Sequence, residues 1–545
     1  MKSKYIISFL SIIYIIFLGS CTDDLNVSPL DPDVITSDIA YGSPESYTMA
    51  LNKIYSVWAL SGQEGASSSD ISGLDAGNTV LLRCWFTLQD DPTDECKNAW
   101  GDSWVNSINS ITWSTAQLEP IEGAYQRGMY IVALVNEFMK NIENAPAEIN
   151  KEQYAAEARF CRALAYYALM DLFAHPPFIT EENYSLSPSQ LSRTDLFNWI
   201  ENELITIYDV LPSFPEYGHA GKAAVDALLS RMYLNAEIYT SEQRYTDCIT
   251  RCKNIIDMNY SLAENYAELF MADNGENVNV NKEIIFPITA DGEATQSYGI
   301  GAIVLGTRSS TQGTESGISS GWAGFRSTGN LVRVFDFGSN NTDEDAWTAD
   351  NILDKRGIFF SDGKSIDITE SYATFDTQGW SVFKFTNITS SGESGSNPSF
   401  PDTDFPLFRL GEIYLNYAEA VVRGGQGGDI SIAIEYINAL RKRGYGDSLY
   451  NNIDENWLTS SAEIAGSNVS VLYGNLLNER MREMYFEAIR RIDLIRYGLF
   501  TSGSYTWVEK GGISTGVGVA EYYNLYPIPV TDLSVNENLK QNDGY

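Results

Sequence analysis

The chain has 545 residues, of which 44% are hydrophobic and 20% charged, so it is long enough to bury a large core as a globular protein. Its 72 acidic against 36 basic residues give a formal net charge of −36; such a surface repels nucleic acid and acidic or phosphorylated ligands and favours neutral or cationic partners. With only two histidines, the chain has little material for a His-ligated metal centre or for His-based nucleophilic catalysis.

The first 21 residues have the pattern of an export signal. Lys2 and Lys4 give a basic start, and residues 5–18 form an apolar run that is shorter than the roughly 20 residues of a membrane span. Leu-Gly-Ser then precedes Cys21, which resembles a bacterial lipobox. We expect residues 1–20 to be a lipoprotein signal peptide and Cys21 to carry the lipid, which would be the protein's only attachment to the membrane. An ordinary signal peptide, with Cys21 incidental, is the alternative.

Helical periodicity dominates two parts of the chain, roughly 117–260 and 405–500. The spacing of apolar residues predicts helices over 45–60, 117–145, 151–173, 194–211, 222–239, 242–258, 410–423, 430–443 and 476–497. Thr194 is the predicted N-cap of the fourth. The tandem helices from 222 to 258 carry small residues where they would cross, which is typical of a tetratricopeptide unit. The fold class predicted is therefore mainly α, with a tetratricopeptide-like helical repeat scaffold.

The segment 286–400 differs from both helical parts. It is rich in Gly, Ser and Thr, with isolated aromatic residues and short β-prone runs such as 303–305. It is too long for a structureless loop inside a compact domain. We interpret it as a large, irregular, loop-rich insertion that, together with residues 75–115, forms the ligand-binding part of a single domain over 21–545.

Three stretches place aromatic residues in Gly- or Ser-rich contexts: CKNAWGDSW at 96–104, QSYG at 296–299 and SSGWAGFR at 319–326. A large ring outside a periodic apolar stripe has less reason to belong to the core. Tyr and Trp combine an apolar face with a polar tip, which suits half-wet surfaces such as sugar sites. These rings are candidates for a binding surface, with core packing as the alternative for each.

The sequence has no Cys-x-x-Cys pair, which excludes a zinc ribbon. Five cysteines remain after Cys21, and an odd number leaves at least one free thiol. Cys84 and Cys96 are spaced so that a disulfide between them would close a loop. Cys248 and Cys252 lie four apart on a predicted helix, where core packing is expected.

One acidic loop, DNGENVNVNKE at 273–283, offers hard oxygen ligands from Asp273, Asn277, Asn279 and Glu283. Oxygens around a glycine are loosely like a calcium loop. The pattern departs from an EF-hand, because Gly275 takes a ligand position and the glutamate comes one residue early. Calcium binding and a solvated acidic loop both remain open, and no other cofactor is expected.

Several motifs together resemble the SusD/RagB family of nutrient-binding lipoproteins of the Bacteroidetes outer surface. They are the lipobox, PDTDFPLFRLGEIYLNYAEAV, ERMREMYFEAIRRIDLIRYGLF and the C-terminal YYNLYPIPVTDLSVNENLKQNDGY. The resemblance runs from Cys21 to Tyr545. It implies a mainly α-helical body with tetratricopeptide-like repeats, located at the outer membrane as a lid on a SusC-like, TonB-dependent transporter, and it implies no catalysis.

Shorter matches, namely PTDEC followed by AW, LFMADN, SGW and KGG, are similar to the starch-binding founder of that family. This resemblance implies starch or a maltooligosaccharide as the ligand, bound by an arc of Trp100, Tyr298 and Trp322. It also implies that Arg83 hydrogen-bonds sugar hydroxyls. Ser103 stands where the founder has an asparagine; serine keeps a hydroxyl but lacks the reach of the amide.

Two alternatives remain open for the function. One is a binding lipoprotein of the same kind that takes a different neutral glycan. The other is a surface glycoside hydrolase, which needs two carboxylates about 5 to 10 Å apart. The best acidic cluster consists of Glu479, Glu483 and Glu487, and arginines are interleaved with it in the sequence. We interpret it as structural, with acidic and basic residues three and four apart stabilising one helix.

Overall fold

The computed structural model describes residues 41–116, 118–338, 341–369, 374–447 and 452–545. The predicted signal peptide and Cys21 lie outside these residues. Buried apolar side chains from Tyr47 to Ile528 form one connected cluster, which the helical parts and the insertion share. Within the described ranges, no helix combines the length and the apolar character that crossing a bilayer requires.

Helices dominate the described chain, so the prediction of a mainly α fold is confirmed. The helices are α1 Pro44–Ser56, α2 Leu81–Asp90, α3 Val105–Asn109, α4 Glu119–Asn141, α5 Lys151–Phe173, α6 Arg193–Ile207, α7 Lys222–Leu234, α8 Ala236–Thr240, α9 Tyr245–Ile256, α10 Tyr298–Gly306, α11 Gly329–Arg333, α12 Leu410–Val422, α13 Ile430–Tyr445, α14 Glu455–Thr459, α15 Gly474–Met484, α16 Arg490–Arg496 and α17 Val530–Val535. The strands are β1 Cys96–Asn98, β2 Ile284–Ile288, β3 Phe325–Ser327, β4 Phe359–Phe360, β5 Ser381–Val382, β6 Phe405–Arg409, β7 Ser461–Glu463 and β8 Ser470–Leu472.

The scaffold is built from helices that pack on their neighbours in pairs: α4 on α5, α5 on α6, α7 on α9, α9 on α12 and α12 on α13. Cys248 and Cys252 on α9 are fully buried in this core, as predicted. All five cysteines in the described ranges are free, so the loop closure between Cys84 and Cys96 does not form. Helix α6 is capped by Ser192 and not by Thr194, because the Ser192 hydroxyl accepts the hydrogen bond from the Asp195 N–H at 3.0 Å.

The helix predicted over 476–497 is two helices, α15 and α16. Between them, Phe486 and Ala488 have positive φ angles of 59° and 58°, which interrupt a right-handed helix. The Ala488 N–H donates to the Asp90 carboxylate at 2.9 Å, and the Phe486 N–H donates to Glu95 at 3.3 Å. Two buried carboxylates from distant sequence therefore stabilise the break.

The acidic residues around this break form a buried ion-pair network. Glu479, Glu483 and Glu487 are 0–4% exposed, so they are not solvated charges on a helix face. Arg482, three residues after Glu479, is a partner from the same helix. The other partners come from distant segments: Arg356, Lys384, Arg409, Arg441 and Arg443. The prediction that these glutamates pair with arginines of their own helix is therefore mostly wrong, because most of their ion pairs join separate elements.

Two-stranded antiparallel pairs join the insertion to other parts of the chain. Strand β1 pairs with β3, placing Asn98 opposite Phe325, and β2 pairs with β6. The first pairing joins the two parts of the chain that were predicted to form the ligand-binding part. Residues 303–305, predicted as β-prone, lie in α10; this helix is buried almost all round, and a short, continuously apolar run does not distinguish a strand from a buried helix.

Candidate functional site

Three of the predicted site residues, Trp100, Trp322 and Tyr298, lie side by side in the structure. The ring centroids of Trp100 and Trp322 are 6.5 Å apart with 51° between the planes, and those of Trp322 and Tyr298 are 6.1 Å apart with 47°. All three side chains are half-buried. We call this row the aromatic arc. Because each ring is rotated relative to the next, the row presents a surface that turns along its length.

Trp100 is held from several directions just beyond strand β1. Its N–H donates to Asn98 Oδ1 at 2.9 Å, and its indole Nε1–H donates to the Trp322 carbonyl at 2.7 Å. Phe325 packs against the ring at 4.8 Å, edge to face. Gly324 lies directly against the indole, since a Cβ at this position would be 2.3 Å from the ring. Only a glycine leaves room for Trp100 in this orientation.

Trp322 is held through the backbone of its own segment. The N–H groups of residues 322 and 324 donate to the carbonyls of Leu305 and Gly306, both at 2.8 Å, at the end of α10. Between them, Ala323 has a φ of 51°, a left-handed conformation that is strained for a non-glycine residue. Its N–H donates to the Arg308 carbonyl at 2.7 Å, which holds the strained residue in place.

Tyr298 is the first residue of α10, so the same short helix positions two rings of the arc. Ser297 caps this helix by accepting from the Gly299 N–H at 2.9 Å, and its hydroxyl donates to the Ala59 carbonyl at 2.5 Å. The helix thus carries Tyr298 at its start and fixes the backbone of Trp322 at its end. The relative position of these rings follows from the rigidity of α10.

Arg83, on α2, lies over the Trp100 ring with its guanidinium carbon 4.8 Å from the centroid, a cation–π contact. The side chain is 8% exposed, and burial lowers its pKa. Among the described residues, the Gly77 carbonyl, at 3.2 Å, is the only hydrogen-bond acceptor that the guanidinium reaches. Several N–H donors of Arg83 therefore have no acceptor among the described residues.

Ser103 and Phe400 are the two further residues to place. Ser103 is exposed and makes no hydrogen bond with another described residue, so its contact with a glycan stays a prediction. Phe400, which sequence reasoning missed, packs against Tyr298 with centroids 5.2 Å apart and planes at 58°. The only signal for Phe400 in the sequence is an isolated aromatic residue in the polar run SNPSF.

Both carboxylates of the predicted calcium loop are bound by other protein groups, and calcium binding there stays a prediction. The Asp273 carboxylate accepts from the N–H and hydroxyl of Ser390, at 2.8 and 2.5 Å. The fully buried Glu283 carboxylate is bound by Arg409 and Arg443, at 3.1 and 2.6 Å. Asn277 donates its amide to Glu268 and accepts from the Asn279 N–H. The part of the chain that the structure describes holds no group of three or more His, Cys, Asp or Glu arranged for a metal ion.

Comparison with known sequences identifies the family. Residues 239–545 match the model of the SusD family, and residues 86–234 match one described as starch-binding and associating with the outer membrane. The starch-binding protein SusD of Bacteroides thetaiotaomicron is 35% identical over 587 aligned positions, which cover 100% of both chains. A SusD-like protein of Formosa agariphila is 24% identical over 100% of this chain and 99% of its own.

Solved structures agree in fold. A SusD-like carbohydrate-binding protein from Bacteroides fragilis has a TM-score of 0.70 at 18% identity. A surface glycan-binding protein A from Bacteroides thetaiotaomicron, in complex with laminarihexaose, has a TM-score of 0.66 at 17% identity. Each comparison covers 92% of this chain and 99% of the other. With its fold shared by these structures and more than half of its length matched by the family model, the chain belongs to the SusD family.

Proposed function

We propose that this protein binds an α-1,4-glucan, either starch or a maltooligosaccharide, on the aromatic arc. The observation that carries the proposal is the row of three half-buried rings, spaced by 6.5 and 6.1 Å and rotated by 51° and 47°. The C–H bonds on the faces of a pyranose pack on aromatic rings. A row that turns from ring to ring fits the helical α-1,4-glucan chain better than a flat chain such as cellulose.

The arc is suited to reversible capture. A ring lying flat on a sugar covers roughly 50 Å² of apolar surface, worth about 1 kcal/mol at ~25 cal/mol/Å². Three rings and a few hydrogen bonds, less the cost of ordering the chain, give an affinity of roughly micromolar to millimolar. Arg83 supplies N–H donors for the hydroxyls at the sugar rim, and its burial makes each such bond stronger than it would be in water.

The relatives support this ligand and supply the competing one. The relative that is 35% identical over its whole length is named as starch-binding. A structural neighbour, by contrast, was solved with laminarihexaose, and another is described as laminarin-binding. A different neutral glycan, such as a β-1,3-glucan, is therefore the second candidate. The serine at position 103, where the resemblance to the starch-binding founder predicts an asparagine, also favours a different glycan.

The location and the partner are part of the same proposal. The protein is a lipoprotein, anchored through Cys21 on the surface of the outer membrane, that delivers its glycan to a SusC-like, TonB-dependent transporter. The lipobox-like sequence before Cys21 supports the anchor. The family description "associating with outer membrane" for residues 86–234 supports the location.

The role is binding and not hydrolysis. The best candidate for a pair of catalytic carboxylates, the cluster of Glu479, Glu483 and Glu487, is buried and ion-paired. A glycosidase acid needs a raised pKa to stay protonated. Burial alone raises the pKa of Glu479, but Arg356 and Arg482 outweigh it and lower this pKa to about 2. This carboxyl is therefore ionised at neutral pH and is no proton donor.

Isothermal titration of the mature protein with maltoheptaose, cellohexaose and laminarihexaose tests the proposal, with the chain length of the recovered sugar measured alongside. We expect saturable binding of maltoheptaose, with the sugar recovered intact and with much weaker binding of the other two. Preference for laminarihexaose would replace the α-glucan by the second candidate. Shortened sugar would overturn the non-catalytic role.

A further inference from the structure

We propose that Phe400 provides a fourth sugar-binding subsite, which extends the arc beyond Tyr298 by one glucosyl unit of an α-1,4-glucan. This inference rests on the proposed function and adds a preference for longer chains. Phe400 is half-buried, like the residues of the arc, and its ring lies 5.2 Å from that of Tyr298, centroid to centroid, with 58° between the planes. The spacing and the rotation continue those of the arc.

The ring contacts of Phe400 place it at the end of the row, next to Tyr298. In the described part of the chain, its ring contacts Tyr298 and makes no ring contact with Trp322 or Trp100. Trp322 in turn contacts both Trp100 and Tyr298. The order along the surface is therefore Trp100, Trp322, Tyr298, Phe400. A chain that follows the first three rings reaches the fourth next.

The segment that carries Phe400 is built to hold the ring in place. The Phe400 N–H donates to Asn397 Oδ1 at 3.2 Å. Two residues further on, the Asp402 carboxylate accepts from the N–H of Gly292, and from both the N–H and the hydroxyl of Ser396, each at 2.6 Å. Asn387 fixes the same segment, accepting from the Asp402 N–H at 3.0 Å and donating to the Asn397 carbonyl at 3.0 Å.

This polar framework distinguishes Phe400 from a ring that merely fills the core. Its neighbours Pro398 and Ser399 are exposed, and Phe400 is only half-buried although it is the largest apolar group of the segment. A fixed backbone means that little conformational freedom is lost when a sugar packs on the ring. If Phe400 only supports Tyr298, its loss is expected to weaken the binding of short and long sugars equally.

The experiment titrates maltotriose and maltoheptaose into the mature wild-type protein, Phe400→Ala and Phe400→Tyr. Maltotriose is short enough to be satisfied by the three rings of the arc, whereas maltoheptaose also reaches Phe400. We expect Phe400→Ala to weaken maltoheptaose binding by about five-fold, the effect of losing one stacked ring, and to change maltotriose binding by less than about two-fold. Phe400→Tyr keeps the ring and is expected to bind both sugars as the wild type does.

Phe214→Ala is the matched control, because Phe214 is also a loop phenylalanine and is 67% exposed. Thermal melts of each variant establish that it is folded. An equal loss of affinity for both sugars in Phe400→Ala would mean that Phe400 only supports Tyr298, and it would overturn the subsite. Unchanged affinity for both sugars would also overturn the subsite. If the wild type binds neither sugar, the proposed function itself fails, and this result is distinct from both.

Discussion

The indole N–H of Trp100 donates a hydrogen bond to the backbone carbonyl of Trp322, 2.7 Å away and 222 residues further along the chain. The bond joins the end of strand β1 to the insertion and fixes the orientation of the Trp100 ring relative to the backbone of Trp322. Rings that are already oriented lose little side-chain freedom when a ligand binds, so more of the contact energy is realised as affinity. The predictions on binding follow from this preorganisation.

Trp100→Ala is expected to weaken maltoheptaose binding at least about ten-fold, because it removes one stacking face and the bond that holds Trp322. Trp100→Phe keeps an aromatic face but loses the N–H, and we expect an intermediate affinity. Trp457→Ala is the control, since Trp457 is also half-buried but contacts Arg441 and no ring of the arc. Isothermal titration measures all three. Wild-type affinity in Trp100→Ala would remove Trp100 from the site.

Gly324→Ala is expected to displace the Trp100 ring and to weaken glucan binding about as much as Trp100→Ala does. The added Cβ would lie 2.3 Å from the indole, which is too close for any real contact. In Gly301→Ala the new Cβ lies 3.8 Å from the Trp322 ring, an ordinary van der Waals distance, so binding is expected to be retained. Titration of both variants, together with near-ultraviolet circular dichroism of the tryptophans, checks this. Equal affinity in the two would contradict the packing of Trp100 on Gly324.

Arg83→Met is expected to weaken glucan binding several-fold without loss of thermal stability. The substitution removes the N–H donors for sugar hydroxyls but keeps an apolar chain beside Trp100. Burial lowers the pKa of Arg83, so keeping the guanidinium charged lowers the stability of the ligand-free protein. A neutral side chain removes this loss of stability. The measurements are titration with maltoheptaose and the melting temperature. A large fall in melting temperature with unchanged affinity would make Arg83 a purely structural residue.

Glu483→Gln is expected to destabilise the protein by about 3 to 5 kcal/mol at pH 7, because it leaves buried guanidinium groups without their carboxylate. Arg409 and Arg356 pair with Glu483 at 2.5 and 3.1 Å, and Arg443 pairs with it as well. Urea unfolding measures the difference. Asp209→Asn is the control: its carboxylate is 95% exposed, so losing its 3.5 Å pair with Lys222 should cost less than about 1 kcal/mol.

The effect of Glu483→Gln is expected to shrink in acid. Burial raises the pKa of a carboxyl, but Arg443, Arg409 and Arg356 outweigh it and hold the pKa of Glu483 well below its ordinary value. The folded pKa therefore lies below the unfolded one, near 4.3. The stability due to ionised Glu483 is fully present above that value and is lost as the pH falls below it towards the folded pKa. A difference that stays constant from pH 7 to pH 3 would contradict this assignment.

The parts of the fold that depend on local sequence were predictable. Helix α5 spans residues 151–173 as predicted, because its apolar spacing is regular and prolines follow it. The three arc rings were identified by resemblance, and the structure brings them together. Their contact depends on the pairing of β1 with β3 and on α10, which no local pattern reveals.

The features that were missed depend on distant partners. The break between α15 and α16 is stabilised by Asp90 and Glu95, almost 400 residues earlier in the chain. Glu283 lies in an acidic local sequence, and its arginine partners come from α13 and the end of β6. Phe400 reaches Tyr298 from a loop that Asp402 anchors to Gly292. Each is a long-range contact that a window of neighbouring residues cannot contain.

The most direct test of the central claim is a crystal structure of the mature protein with maltoheptaose. The arrangement of the rings predicts glucosyl units packed on Trp100, Trp322 and Tyr298, with Arg83 donating hydrogen bonds to sugar hydroxyls. Sugar bound at another surface, with the aromatic arc empty at a saturating concentration, would contradict the assignment of this arc as the glucan-binding site.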